Sequence, residues 1–517
     1  MTVRRAIAIG VAAAVVWSAW RAGLDRIVNT AGWPSFARFW SAVAEPALDR
    51  DFVTLTVDAA VITAAYAILG TALSLVIGVV AALALSDLLF PSGALPRLVR
   101  LLLVVPRAVH EVVWALLLIQ ILGFDPLVPV LAIGLPFGAV TAKVFAETID
   151  EADRGPYLVL RASGARRLTA LAYGVLPSIR GELLSYGFYR FECSVRSAAV
   201  LGVVGAGGLG FQLDLSFESL RYREIWTLIL ALMVLSGAVE AWSSIVRRSR
   251  HPRAGQVSLG LVLALVPLSW LWVGLDPRRL WSARSRDLGA DLAGRLVPPR
   301  AGPEGWGELV LASVDTAAMS VLALLVAIVG ALVLGPLAAR PVGPAVVRSR
   351  AAAAARWSAR IVAAAALLLF RAVPAPVWAF LAVLVLFPGL WPGAVALGVA
   401  TLGVLGRLFA EAIEDRDHRP ATALRTLGAG SVTTFFYGTL PAASARLVAL
   451  ALYRWEVVVR ETVVVGVVGA GGIGQLINDH LAARDFAAVT GAVLGLLVVT
   501  AAIDAVSRRL RRELRVS

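Results

Sequence analysis

Six charged residues interrupt two strongly apolar stretches. Arg190, Glu192 and Arg196 lie in Tyr189–Gly210, YRFECSVRSAAVLGVVGAGGLG. Arg454, Glu456 and Arg460 lie in Tyr453–Gly474, YRWEVVVRETVVVGVVGAGGIG. On a helix Glu192 and Arg196 stand one turn apart and can pair, as can Glu456 and Arg460. Tyr189 and Tyr453 fall on the same stripe three residues earlier. A guanidinium matches the oxygens of a carboxylate or phosphate bidentately. The spacing therefore fits an oxyanion path flanked by Arg196 and Arg460, with the glutamates holding the arginines. It equally fits Glu–Arg pairs that only orient helices. At the centre of a lipid-facing helix each charge costs about 2.5–3.5 kcal/mol, so six cost roughly 15–20 kcal/mol. They must face a bundle interior, a wet cavity or an interface.

The glycines Gly205, Gly207 and Gly210 satisfy the spacing of a dinucleotide-binding loop. That loop needs a strand before it, a helix after it and an acid about 20 residues on. Here apolar helix surrounds it. Small residues let helices or broken-helix segments approach closely, so Gly205, Gly207, Gly208 and Gly210, with Gly469, Gly471, Gly472 and Gly474, read as a break in a membrane helix. The histidines His110, His251, His418 and His480 are scattered. The single cysteine, Cys193, forms no disulfide within the chain and no Cys-based metal site. No cofactor or metal is expected. A Walker A loop requires G-x-x-x-x-G-K-[ST], and the sole lysine, Lys143, follows Ala142 inside an apolar span. The chain carries no ATPase site of that type.

The elements that must position these residues come in duplicate. The two stretches are identical at 14 of 22 positions at a constant offset of 264. The same offset pairs Arg107 with Arg371, Trp114 with Trp378, Glu147 with Glu411, Gly164 with Gly428 and Pro177 with Pro441. Further upstream Val57-Asp58 matches Val314-Asp315 at an offset of 257, which implies a loop of different length. The composition is 59% hydrophobic with a mean hydropathy of +0.81, against roughly 45–50% apolar in soluble domains. Apolar runs near the 20 residues needed to cross a bilayer give about 12 spans. They fall within 6–20, 57–85, 101–122, 127–145, from 183 onward, and 225–245, then 259–275, 311–334, 361–386, 394–409, 447–468 and 487–506. The first span is read as uncleaved. This is an all-α polytopic protein of two parallel six-helix repeats, 1–253 and 254–517. The net charge of +14 comes from arginine clusters between spans, such as Arg4/Arg5, Arg247–Arg253, Arg340–Arg360 and Arg508–Arg515. These are positive-inside signals rather than a nucleic-acid surface, and they place both termini on the cytoplasmic side of the membrane. The external segment 277–303 dissents, with Arg278, Arg279, Arg284, Arg286, Arg295 and Arg300.

Two polar loops repeat as well. One reads P-x-x-x-L-R-x-x-G-A at Pro156, Leu160, Arg161, Gly164 and Ala165. The other repeats it at Pro420, Leu424, Arg425, Gly428 and Ala429. In each, Leu-Pro follows the glycine by 12 and 13 residues, at Leu176-Pro177 and Leu440-Pro441. Physically this is a short helix, a glycine break, a second short helix and a proline at the next membrane entry. The loop is a knob for a partner, or a tether to anionic headgroups.

This spacing resembles the cytoplasmic loop of bacterial binding-protein-dependent ABC transporter permeases. The wider pattern resembles their phosphonate-import branch: Arg107, Glu111, Trp114 and Ala115, LRASGA at Leu160–Ala165, YRFE at Tyr189–Glu192, Arg196, and VGAGGLG at Val204–Gly210. The resemblance covers most of both halves. It implies a type I importer permease fold, with two permease units fused into one chain that forms one pore. It implies coupling helices docked on two copies of a cytoplasmic ATPase, an external substrate-binding protein, and a gate at the glycines. The chain departs from the pattern in two places. The usual Glu-Ala before the loop glycine is Leu158-Val159 in one copy and Thr422-Ala423 in the other, so coupling must use Arg161, Arg425 or shape. The position of Glu111 is Ala375 in the second half.

Two other readings stand beside this one. An ion-coupled secondary transporter with parallel repeats would use mid-span acids, Asp58 and Asp315 beside Glu192 and Glu456. A membrane-embedded enzyme lacks a nucleophile–base–metal set at workable spacing.

Overall fold

The computed structural model describes residues 3–23, 27–248, 252–340 and 350–515. Parts of two expected arginine clusters, at 249–251 and 341–349, lie outside the described residues. The chain separates into two compact units, 42–294 and 1–41 with 295–517.

The first helices are α1 (Val3–Arg21) and α2 (Trp33–Ser41). Residues 42–294 then supply α3 (Arg50–Leu85), α4 (Ala94–Ala108), α5 (Glu111–Leu122) and α6 (Leu127–Glu151). These are followed by the short α7 (Gly155–Ala162) and α8 (Arg167–Gly174), then α9 (Leu176–Leu201), α10 (Gly208–Glu218), α11 (Tyr222–Arg248), α12 (Pro252–Val273) and α13 (Ala283–Arg295). The plan returns as α14 (Trp306–Ala338), α15 (Arg350–Ala372), α16 (Ala375–Val385), α17 (Leu390–Glu414), α18 (Arg419–Thr426) and α19 (Ser431–Thr434). It closes with α20 (Leu440–Val467), α21 (Gly472–Ala482) and α22 (Phe486–Arg515). Among the described residues, 8 helices are long and apolar enough to cross a membrane, and 10 spans result when two bent pairs are each taken as one. The shorter apolar helices Ile9–Arg21 and Gly260–Val273, one ahead of each repeat, bring the total to the expected twelve or so.

Each unit is built around one pair of helices, α3 on α6 and α14 on α17. Lipid tails are as apolar as leucine, so close packing rather than water exclusion must hold such a pair. Glycines supply the closeness. A Cβ on Gly70 would lie 2.8 Å from the Ile133 side chain, and one on Gly138 would lie 2.8 Å from that of Ile77. The second unit inverts one contact: Gly330, at the place of Ile77, receives Leu402, at the place of Gly138, with 2.6 Å to a Cβ. Bulk has moved from one helix to its neighbour. These equivalences fix the register of the long helices at an offset of 253, since Leu73 against Gly134 matches Val326 against Gly398. The offset of 257 inferred from Val57-Asp58 is therefore corrected. A two-residue match in an apolar run is too short to fix register.

A short helix flanks each long one, α12 on α3 and α1 on α14. The α1 segment is tied down by polar contacts. Arg21 Nε lies 2.8 Å from Asp315, Trp391 Nε1 donates to the Gly23 carbonyl at 2.6 Å, and Asn29 N donates to Val385 O at 2.8 Å. Residues 1–41 thus pack with the second repeat, while α12, beyond residue 253, packs with the first.

The continuous span expected at Leu101–Leu122 is two helices, α4 and α5, bent by 94°. Pro106 weakens the last turn of α4. His110 then caps a new helix, its Nδ1 accepting from Val112 N at 3.3 Å. The sequence hides this break because the apolar residues 101–105 and 112–119 flank only a short polar and proline-containing segment.

Candidate functional site

Both polar loops adopt the expected helix–glycine–helix form. After α7 the Gly164 N–H donates to Arg161 O at 3.1 Å and Ala165 N–H to Leu160 O at 3.0 Å; after α18, Gly428 and Ala429 repeat these bonds to Arg425 and Leu424 at 3.0 Å each. The two glycines have φ of +89° and +84°, where a side chain is strained. Leu160 and Ala165 pack on a cluster of Leu88, Leu89, Ile149, Tyr157 and Leu171, and Tyr157 Oη donates to Leu88 O at 2.7 Å. This fixes the first loop to the ends of α3 and α6. Arg161 turns back on its own loop, Nη1 donating to Ala165 O at 2.5 Å. Both loops also expose apolar side chains: Leu158, Val159, Leu168 and Tyr173 in one loop, and Leu427, Val432, Phe436 and Tyr437 in the other.

Sequence reading missed Gly174 and Gly438. A Cβ on either would press on the backbone of the first short helix, 2.9 Å from Tyr157 N and 2.9 Å from Ala421 Cα respectively. Their shared offset of 264 was the available signal.

The charged residues sit mid-way along α9 and α20. Glu456 does not pair with Arg460 through its carboxylate. Arg460 Nε donates to the Glu456 backbone carbonyl at 3.1 Å, while the carboxylate receives Arg511 of α22 at 2.6 Å. Arg511 also donates to Ser507 at 2.8 Å, and Ser507 in turn donates to Leu452 O at 3.3 Å. Asp504 and Arg508, 3.9 Å apart, lie on the same part of α22. The cluster therefore joins two helices, close to the end of α22 that carries the basic tail. Ser507 is 21 residues from the start of α22, about 32 Å at 1.5 Å per residue. Glu456 is paired with Arg511 rather than left as an isolated charge, so the cost set out from sequence for lipid-facing charges is an upper bound. The 264 offset puts Glu192, Arg196 and Glu240 at the matching places of α9 and α11, and each of the three has interaction partners.

One turn away the repeats diverge. Arg190 donates to Tyr186 Oη at 2.7 Å, and its guanidinium stands 5.1, 5.0 and 5.6 Å from the ring centres of Phe137, Tyr186 and Tyr189. Its counterpart Arg454 is 7% exposed and pairs with Glu461 at 3.3 Å. In the first unit Ser197 occupies the position of Glu461 and donates to Glu111 at 2.7 Å. Where the second unit has Ala375 in place of Glu111, the carboxylate has moved onto α20. Tyr189 and Tyr453 are 41% and 48% exposed, with the Tyr189 ring still beside the Arg190 guanidinium.

The glycine clusters form tight breaks. Beyond α9 the chain passes through a π-helical turn, Gly202–Ala206, and bends by 54° into α10. Gly207 has φ, ψ of 86°, −174° and Gly471 has 87°, −172°, a region open almost only to glycine. Thr63 of α3 receives Leu209 N at 2.9 Å, and Thr316 of α14 receives Ile473 N at 2.9 Å. Each thus caps the helix that follows the break. A Cβ on Gly210 would overlap the Ala199 carbonyl, and one on Gly474 would lie 2.7 Å from Val463 O. Backbone packs on backbone here. Around Gly207 there is open space within 4 Å.

A protein-family model, binding-protein-dependent transport system inner membrane component, matches twice, at residues 74–253 and 349–516. The chain belongs to this family. It is a multi-pass inner-membrane permease component of the ABC importer type with two family domains in one polypeptide. The phosphate-import permease protein PhnE of Mycolicibacterium smegmatis is 30% identical over 465 residues, covering 88% of this chain and 85% of that protein. The phosphite transport system permease protein PtxC of Stutzerimonas stutzeri is 31% identical over 246 residues, 47% of this chain but 87% of its own. An Escherichia coli K12 protein described as a cryptic phosphonate transport system permease, PhnE2, is 35% identical over 118 residues, covering 23% of this chain and 97% of that one. One of these permeases matches along both repeats; PtxC matches about half of this chain with nearly all of itself. Such permeases work with an ATP-binding subunit and a substrate-binding protein, and family membership favours this over the ion-coupled and enzymatic readings.

Proposed function

We propose that this chain carries both permease repeats of an importer for phosphate, phosphonate or a related phosphorus oxyanion. ATP would be hydrolysed by a separate cytoplasmic subunit, and an external binding protein would deliver the solute. The observation that carries this reading is the double family match together with a two-repeat relative named as a phosphate-import permease. In this reading each repeat, 1–253 and 254–517 by sequence, stands for one permease subunit. Two ATPase copies dock on the loops around Leu160, Arg161, Gly164 and Ala165 and around Leu424, Arg425, Gly428 and Ala429. Both termini would be cytoplasmic, which most of the arginine clusters favour.

Arg196 and Arg460, with Glu192 and Glu456 beside them, would border the path of the anion, and Tyr189 and Tyr453 would line its approach. The Glu456 carboxylate is engaged by Arg511, so Arg460 is oriented by the Glu456 backbone carbonyl rather than by its side chain. The breaks at Gly205–Gly210 and Gly469–Gly474 would serve as the gate. The test is ATP turnover by the full chain co-purified with its co-expressed ATPase and reconstituted with the binding protein. Phosphate, phosphite or a phosphonate should stimulate turnover. Stimulation only by an unrelated solute would remove the substrate assignment.

A further inference from the structure

The two coupling loops present different chemistry, and the difference points to a second mode of docking. Beside α18 lies a cleft of about 530 Å³ lined by Arg416, Asp417, His418, Arg419, Thr422 and Thr426. Arg419, Thr422 and Thr426 share one helix face at i, i+3 and i+7. Arg416 is held by Thr439, Nη2 donating to Oγ1 at 2.9 Å, while its Nε is buried without a hydrogen-bond partner. Burial, and then the charge of Arg425, push the Arg416 pKa down, with Asp417 opposing them. Asp417 is also engaged at the start of the helix, accepting from Arg419 N at 3.0 Å. His418 lies 2.9 Å from the Glu414 carbonyl. The cleft thus gathers more positive charge than it neutralises.

The first loop keeps the acid, Asp153 at the place of Asp417, but changes the other positions. The 264 offset puts Ala152, Arg154, Gly155, Leu158 and Ala162 at the positions of Arg416, His418, Arg419, Thr422 and Thr426. Leu158 and Val159 stand 60% and 67% exposed on that face.

We propose that the cleft along α18 receives a carboxylate of the cytoplasmic ATPase, so that the second loop docks by charge and the first by apolar contact. This rests on the reading of both loops as ATPase-docking elements. The loop's own usual acid is absent at Thr422, and the opposite polarity, cation on the permease and acid on the ATPase, completes the same kind of contact. Charge-assisted hydrogen bonds from Arg416 and Arg419 would satisfy the exposed donors, and the pairing would weaken with salt.

The test uses the full-length chain co-expressed with its own ATP-binding subunit, purified in detergent, with the ATPase retained per permease measured at low and high salt. Arg416→Glu/Arg419→Glu should halve the retained ATPase and abolish most of its salt dependence. Leu158→Asp/Val159→Asp should also halve it but leave the salt dependence in place. An acid-to-arginine change in the ATPase cleft that restores binding to Arg416→Glu/Arg419→Glu would identify the partner carboxylate. Unchanged retention and salt response in Arg416→Glu/Arg419→Glu, with loss in Leu158→Asp/Val159→Asp, would overturn the charge proposal and leave ATPase docking intact. No loss in either variant would overturn the docking reading itself. If Arg416→Glu/Arg419→Glu instead removes only a thermal stabilisation of the permease by added inorganic phosphate, the cleft is a small-anion site and the proposal falls.

Discussion

Arg454 is the most enclosed of the interrupting charges, and removing its partner is the sharpest perturbation of the site. It is 7% exposed, and Glu461 stands 3.3 Å away with its own side chain 25% exposed. At an effective dielectric near 20, unit charges at that distance attract by about 5 kcal/mol before desolvation is counted. Removing one member of a buried pair costs about 3–5 kcal/mol, because the other charge stays buried and uncompensated. The partial exposure of Glu461 puts Glu461→Gln at the lower end, about 3 kcal/mol. Arg407–Glu411 provides the reference, a one-turn pair at 2.7 Å whose side chains are 42% and 45% exposed; such surface pairs contribute about 0–1 kcal/mol. In detergent, Glu461→Gln should therefore lower the midpoint of thermal unfolding several times more than Glu411→Gln. Arg454→Met/Glu461→Gln, which removes both charges, should recover more than half of the loss, as a double-mutant cycle requires of a coupled pair. Equal shifts for Glu461→Gln and Glu411→Gln, or a double variant as damaged as the sum of its singles, would refute the reasoning.

The glycine break separates packing from transport. Gly210→Ala should sharply reduce folded protein in fluorescence-detected size exclusion, because its Cβ overlaps the Ala199 carbonyl. Gly207→Leu, facing open space at a strain cost of about 1–3 kcal/mol, should leave a monodisperse protein that fails to transport; normal uptake would count against the gate. Between α3 and α6, Gly138→Leu should destabilise the first unit, while Ile77→Gly/Gly138→Leu, which copies the second unit's arrangement, should restore its melting temperature. Tyr157→Phe, which loses the bond to Leu88 O, should lower stability by about 1 kcal/mol and loosen ATPase coupling, read as a smaller substrate stimulation of ATP turnover.

Much of this architecture was legible because a duplicated chain carries its own comparison. Arg, Glu and the glycines recur at one offset, and the loop glycines with their prolines announce helix, break and helix. What escaped was non-local. Spacing on one helix suggested that Glu456 pairs with Arg460, since i,i+4 neighbours are all a local reading can offer. The carboxylate instead finds Arg511, 55 residues on, and the recurrence of that arginine as Arg247 was the clue. Asp58 and Asp315 looked equivalent by adjacency alone, but packing aligns Thr63 with Thr316. The bend at His110 stayed hidden because hydropathy reports burial in lipid and not direction. For the loops, sequence left Arg161, Arg425 or shape as the means of contact; the bond from Arg161 to the Ala165 carbonyl and the exposed apolar side chains of both loops depend on a folded geometry that spacing alone does not give.

The claim on which the rest depends is that this chain is a pore that moves solute only when a separate ATPase drives it. The most direct measurement is uptake of labelled phosphate, phosphite or phosphonate into vesicles holding the purified chain, with and without its co-expressed ATP-binding subunit, internal ATP and external binding protein. Uptake is predicted only when all three are supplied, and it should persist when ion gradients are collapsed. Uptake by the chain alone, lost when a proton or sodium gradient is dissipated, would contradict the account.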